Sequence, residues 1–122
     1  MHKPATPWLA LALLALTGLL GGCGDDAAPP AAHNAAVLSP ADPALAKIYD
    51  SSCKLCHANP ASGAPQSGDA KAWQPRVAQG ADSLLDHSIN GFKGMPPMGM
   101  CMQCSEDEFL ALISFMSGQS VQ

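Results

Sequence analysis

The sequence predicts an all-α domain, and three observations carry that reading. No stretch alternates apolar and polar residues as a half-buried strand would. Ser105-Glu106-Asp107-Glu108 has the form of a capping box and opens an apolar stripe at helical spacing. Leu45, Ile48, Tyr49 and Cys53 recur at helical spacing earlier in the chain. With 122 residues there is material for one small domain and not two.

The front of the chain stands apart from that domain. Met1-His2-Lys3 is weakly basic, and Trp8 to Leu20 is an almost purely apolar run. The run is shorter than the roughly 20 residues a spanning helix needs. Residues 1–22 therefore read as a signal peptide, cut among Leu20-Gly21-Gly22-Cys23. Small residues directly before a cysteine resemble a bacterial lipobox, in which Cys23 would be lipidated and become the new first residue. The alternative is ordinary cleavage nearby, with Cys23 a free thiol. Lipidation is preferred because it removes the liability of an unpaired exported cysteine. Residues 23–43, rich in Ala, Pro and Asp, show no periodicity and are expected to be a disordered tether, with His33 solvated. A flexible chain of that length spans roughly 25 Å, enough to let a folded head swivel at a membrane surface. The whole chain has a formal charge of −4. Cleavage before Cys23 removes Lys3 and no acid, leaving 5 bases against 10 acids and a charge of −5. Such an acidic protein is a poor candidate for nucleic-acid binding.

The domain is expected over residues 44–119. Its first helix has Asp42 as N-cap and Pro43 at the first helical position, and runs straight into Cys53. Asn59 to Gly68 is loop material. Ala70 to Trp73 forms a helical turn that Pro75 interrupts or re-enters. Asp82 is the expected N-cap of a short helix closed by Asn90-Gly91, with Leu85 and Ile89 on one face. Gly94-Met95-Pro96-Pro97-Met98-Gly99 must be loop. The last helix follows the capping box, buries Phe109, Leu112, Phe115 and Met116, and stops at Gly118. So small a domain is marginally stable without reinforcement.

The cysteines sort by neighbourhood. Cys53-Lys54-Leu55-Cys56-His57 is a C-x-x-C-H motif, Cys101 and Cys104 form a second C-x-x-C, and Cys23 stands alone. Two thiols at the first spacing reach the two vinyl groups of one haem as thioethers, and the next histidine becomes the proximal iron ligand. A thioredoxin-like dithiol is the competing reading, but it needs a βαβ context that the sequence lacks. One such motif means one haem c. Its buried porphyrin would supply apolar contact that the chain alone cannot.

Met95, Met98, Met100, Met102, Met116, His33 and His87 are candidates for the sixth iron position. Met95 is preferred because Pro96-Pro97 stiffens the backbone beyond it, with Met98 next. Met116 reads as core and His87 as solvent-facing. The proximal ring needs an acceptor for its other nitrogen, and a carbonyl of the Gly63-Ala64-Pro65 loop is suitably close in sequence. Trp73 and Arg76 are either donors to the haem propionates or, for the indole, simple core. For Cys101 and Cys104, a structural disulfide near the distal ligand is preferred to a second redox centre.

With these residues in hand, the domain resembles class I c-type cytochromes, and among them the cytochrome c-five group. The resemblance rests on Tyr49, the C-x-x-C-H motif, Gly63-Ala64-Pro65, Gly68-Asp69, Trp73, Pro75-Arg76, Gly80, Asn90-Gly91, Met95-Pro96-Pro97, Gly99, Cys101, Cys104-Ser105 and Phe115-Met116. It spans about Leu45 to Met116. It implies a small class I cytochrome c fold of three main helices around one covalently bound haem. It further implies His57 and Met95 as iron ligands, the Pro65 carbonyl on the His57 ring, a Cys101–Cys104 disulfide, and Tyr49 meeting Phe115 where the first and last helices cross. The methionine-rich string Met98 to Met102 departs from the family pattern, as does the lipoprotein-like front end. The resulting expectation is a single-electron carrier in the bacterial periplasm, tethered to a membrane through Cys23. It would serve membrane redox complexes or terminal reductases and oxidases, without being an enzyme. A haem-based ligand sensor and a dithiol redox protein using Cys101 and Cys104 are the rival readings.

Overall fold

The computed structural model describes residues 34–122. The signal peptide, Cys23, His33 and the first part of the tether lie outside the described residues. Within them the chain is helical, with α1 at Pro43–Ser51, α2 at Lys54–His57, α3 at Ala70–Val77, α4 at Ala81–Asn90 and α5 at Glu106–Ser117. Short 3-10 turns occupy Ala35–Val37, Pro60–Ser62 and Pro97–Met100, and the one β-contact is an isolated bridge between Phe92 and Met95.

The Asp42 carboxylate starts α1 by accepting from the amides of Ala44 (2.8 Å) and Leu45 (2.9 Å). This satisfies two of the four orphan donors of a helix start. The helix does not run unbroken into the cysteine motif. Ser52 leaves helical geometry at φ −135° and ψ −80°. Its hydroxyl bonds back to the Ile48 carbonyl at 2.6 Å, an alternative to the helical ladder that the sequence pattern conceals. Chain order also begins before the expected boundary. Ala35 is buried, and a methyl on Gly68 would lie 2.8 Å from Leu38 Cδ1, so residues 34–43 hold structure where a shapeless tether was expected. Lack of periodicity argues against a long amphipathic helix there, but not against one 3-10 turn or the docking of single apolar side chains.

Pro75 does not interrupt α3. Its missing amide orphans a carbonyl on the exposed Lys71, where water can substitute, and the Asp69 cap on the Ala72 amide (3.0 Å) holds the first turn. The N-cap of α4 is Gly80 (φ 91°), two positions before the expected N-cap Asp82. Asp82 sits in the first turn, where its charge favours the positive end of the helix. The capping box of α5 closes in both directions, Ser105 amide to Glu108 Oε2 at 2.8 Å and Glu108 amide to Ser105 Oγ at 3.3 Å.

Tyr49, Trp73, Leu84, Leu112, Ile113, Met116 and Val121 form the main core. The first and last helices meet through Tyr49 and Phe115, edge to face with ring centroids 5.0 Å apart. A second cluster of Cys101, Cys104 and Phe109 is covered by Leu85, Ile89, Ile48 and Met98. The two clusters brace opposite ends of α5.

Candidate haem site

A cavity of about 230 Å³ lies within this helical frame. Cys53, Cys56 and His57 line it, and so do Pro65, Trp73, Arg76, Met95, Phe109, Leu112, Ile113 and Met116. The motif that α1 and α2 deliver therefore opens into the same space as Met95.

His57 is buried, and its Nδ1 lies 2.8 Å from the Pro65 carbonyl oxygen. A carbonyl only accepts, so Nδ1 carries the proton and Nε2 is left bare as a ligand nitrogen. Burial pushes the imidazole pKa down; the Pro65 contact opposes this, while the nearby Arg76 charge adds to it. The net effect keeps the ring neutral, the form that binds a metal. Trp73 stacks on the ring at 5.5 Å between centroids, with 26° between planes. Burial raises the Cys53 thiol pKa, aided less by the neighbouring Cys56 and opposed by hydrogen bonding to Ser52. An activated dithiol needs the opposite shift. Nor do the described residues hold a cluster of three or more His, Cys, Asp or Glu suited to a bare metal ion.

Of the candidates for the sixth iron position, Met95, Met100, Met116 and His87 line the cavity, whereas Met98 and Met102 do not. Met98 packs on the Cys101–Cys104 cluster instead. Met95 is held in its loop by two backbone bonds. Its amide donates to the Phe92 carbonyl (2.9 Å) and its carbonyl accepts from the Phe92 amide (3.1 Å). Gly91, at φ 86°, lets this loop fold back, since a Cβ there would be 3.0 Å from both Met95 O and Pro97 N. Gly99 makes room for the methionine tip, because its Cβ would lie 3.0 Å from Met95 Cε.

The Trp73 indole donates to the Gln66 carbonyl at 2.9 Å, so the structure gives its N–H to the backbone and its ring to the core. Arg76 is half-buried at the cavity and donates to the Ala72 carbonyl. Cys101 and Cys104 are paired as a disulfide, with Cα atoms 5.5 Å apart and both residues buried. A sealed pair lacks the access that thiol–disulfide exchange requires. His87 is not purely solvent-facing, since it stacks on Phe92 at 3.8 Å between centroids. Phe92 and Lys93 also line the cavity, although no motif points to either. Their only sequence signal is a position between the helix-ending Gly91 and Met95.

Two thiols, a neutral imidazole with a bare nitrogen and a thioether around one largely apolar cavity form the donor set of a covalently held haem, and the residues fit that group. When bound, the haem supplies an iron that gains and loses one electron. Residues 40–116 match the family model described as cytochrome c oxidase, cbb3-type, subunit III. Cytochrome c5 of Azotobacter vinelandii is 44% identical over 68 residues, covering 54% of this chain and 82% of that protein. Cytochrome c-555 of Chlorobaculum tepidum is 41% identical over 76 residues, covering 59% and 70%. A mono-haem ferrocytochrome c from Shewanella putrefaciens superposes with a TM-score of 0.56 at 37% identity, covering 64% of this chain and 94% of that one. The cytochrome c of an electron transfer complex with nitrite reductase superposes at 0.55 with 42% identity, covering 63% and 94%. The chain thus belongs to the cytochrome c family, as a class I, c5-like electron carrier with one covalently bound haem c.

Proposed function

We propose that this carrier holds its haem iron between His57 and Met95 and works in the periplasm, tethered to a membrane by lipidated Cys23. The observation that carries the ligand assignment is the single cavity shared by Cys53, Cys56, His57 and Met95, with Met95 tied by two backbone bonds. His57 and Met95 would together hold the iron, and a fixed thioether would keep its surroundings nearly the same in both oxidation states, which suits electron transfer and would exclude a gaseous ligand. Arg76 stands at the cavity as the countercharge for a propionate. The Cys101–Cys104 disulfide braces the segment after Met95 against the start of α5. Export is supported by the apolar run before Cys23 and by the haem motif, since haem attachment in bacteria follows export. The nitrite reductase partner of one structural neighbour supports a terminal redox enzyme as the class of partner.

Absorption spectra of the wild type and Met95→Ala, each with and without carbon monoxide, test the site. The wild type should show the methionine–iron charge-transfer band and resist carbon monoxide. Met95→Ala should lose the band and bind the gas. A wild type that binds carbon monoxide rapidly would favour the sensor reading instead. The mass of the mature protein tests the tether. A lipid on an N-terminal Cys23 supports it, and a bare N-terminus elsewhere sinks it.

A further inference from the structure

Residues 65–68 form a strap held at every position. The Pro65 carbonyl accepts from His57 Nδ1 (2.8 Å), and the Gln66 carbonyl accepts from the Trp73 indole (2.9 Å). The Ser67 amide donates to the His57 carbonyl and the Gly68 amide to that of Met116, each at 2.7 Å. One further pin is made by side chains alone. The Tyr49 hydroxyl and Ser67 Oγ are 2.7 Å apart, and both residues are 0% exposed.

That pair is hard to explain as packing. A phenylalanine at position 49 would keep the edge-to-face contact with Phe115 without burying a hydroxyl, and an alanine at 67 would need no partner. A sealed polar pair is less favourable than its apolar equivalent unless its geometry matters elsewhere. Neither residue lines the cavity. Tyr49 is anchored in the crossing of α1 and α5, and Ser67 lies two positions from the carbonyl that holds the His57 ring. The bond between them ties the strap to the crossing of α1 and α5.

We propose that Tyr49 and Ser67 are positioning residues that set the strength of the Pro65–His57 hydrogen bond and, through it, the reduction potential. The proposal rests on His57 being the iron ligand. A close carbonyl at Nδ1 makes the imidazole more basic and a better electron donor, which favours the oxidised metal. Loosening the strap weakens that donation, so the potential rises.

The experiment measures the midpoint potential and the exchange rate of the His57 Nδ1 proton in the haem-loaded protein. The variants are Ser67→Ala, Ser67→Thr, Tyr49→Phe and the double variant Tyr49→Phe/Ser67→Ala. In Ser67→Ala, Tyr49→Phe and the double variant, the potential should rise and Nδ1 exchange should quicken about tenfold, as a modest loss of local opening energy requires. Ser67→Thr keeps the hydroxyl and should keep the wild-type values. The double variant leaves no orphaned hydroxyl, so it should regain stability over the single variants without regaining the wild-type potential. Unchanged potential and exchange in Ser67→Ala and the double variant would make the pair merely structural and overturn the proposal. If Tyr49→Phe does not accumulate, Ser67→Ala against Ser67→Thr decides the matter alone. A His57→Ala protein with an unaltered haem spectrum would instead refute the ligand assignment, a separate and recognisable failure.

Discussion

Burial lifts the Tyr49 phenol above its usual pKa of about 10, opposed chiefly by its bond to Ser67. The native state therefore keeps this proton at a pH where the unfolded chain has begun to lose it. The stability it contributes is complete below about pH 10 and is lost as pH rises through the folded value. The chain has a single tyrosine, so the phenolate signal in an alkaline titration belongs to Tyr49 alone. That signal should appear only above pH 10 and together with loss of structure. A phenolate formed at the ordinary value, in a protein still folded, would contradict the burial described here. At this scale the sequence showed what a motif can show. Cys53, Cys56 and His57 declare themselves by spacing, and the structure sets the Pro65 carbonyl on the His57 ring as the resemblance implied. Ser67 gave no sign, because a serine in a loop of Asn, Pro, Ser and Gly looks like turn chemistry until its partner 18 residues earlier is in place. The acceptor for Trp73 was hidden for a related reason. It is a backbone carbonyl, which every residue carries and no sequence pattern marks.

Among the elements, α5 was the most legible, since both its ends carry local signals: the Ser105–Glu108 box and the left-handed Gly118 at φ 67°. The ends of α1 and α3 were less so. Each depends on whether one residue, Ser52 or Pro75, follows or breaks the ladder, and hydrogen bonding and solvent access decide that. The segment from Met95 to Cys104 has little regular structure to hold it. Its backbone even takes left-handed values at Met98 (φ 60°) and Met100 (φ 66°), which cost free energy in residues with a Cβ. The disulfide and the cluster around Phe109 must offset that cost. Cross-linking residues so close in sequence removes little unfolded-state entropy, about 2 kcal/mol by the chain-entropy relation. Replacing both Cys101 and Cys104 by alanine should therefore lower unfolding stability by roughly 2 kcal/mol, read from denaturant melts of the haem-loaded protein. A double variant as stable as the wild type would show that the cross-link does not fix this segment.

For the molecule as a whole, charge and apolar surface are arranged differently. The chain carries 10 acids against 6 bases, yet no Asp or Glu lines the cavity, whose charged residues are Arg76 and Lys93. The exposed large apolar side chains among the described residues are Val37, Leu55, Phe92, Met100 and Met102. Phe92 and Met100 line the cavity, and Leu55 lies between the two haem-attaching cysteines. Contact near the haem is thus apolar, whereas the long-range field is that of an anion. Electron self-exchange between reduced and oxidised copies tests this division without needing a redox partner. Two like-charged molecules repel, and salt screens that repulsion over about 10 Å at 0.1 M. The self-exchange rate, from nuclear magnetic resonance line widths in mixed oxidation states, should therefore rise with ionic strength. Met100→Glu adds charge and removes apolar contact at the mouth. It should slow exchange at every salt concentration and steepen the salt dependence, and because Met100 lines the cavity the added carboxylate should lower the potential. If Met100→Glu exchanges electrons as fast as the wild type, the two copies do not meet at this face.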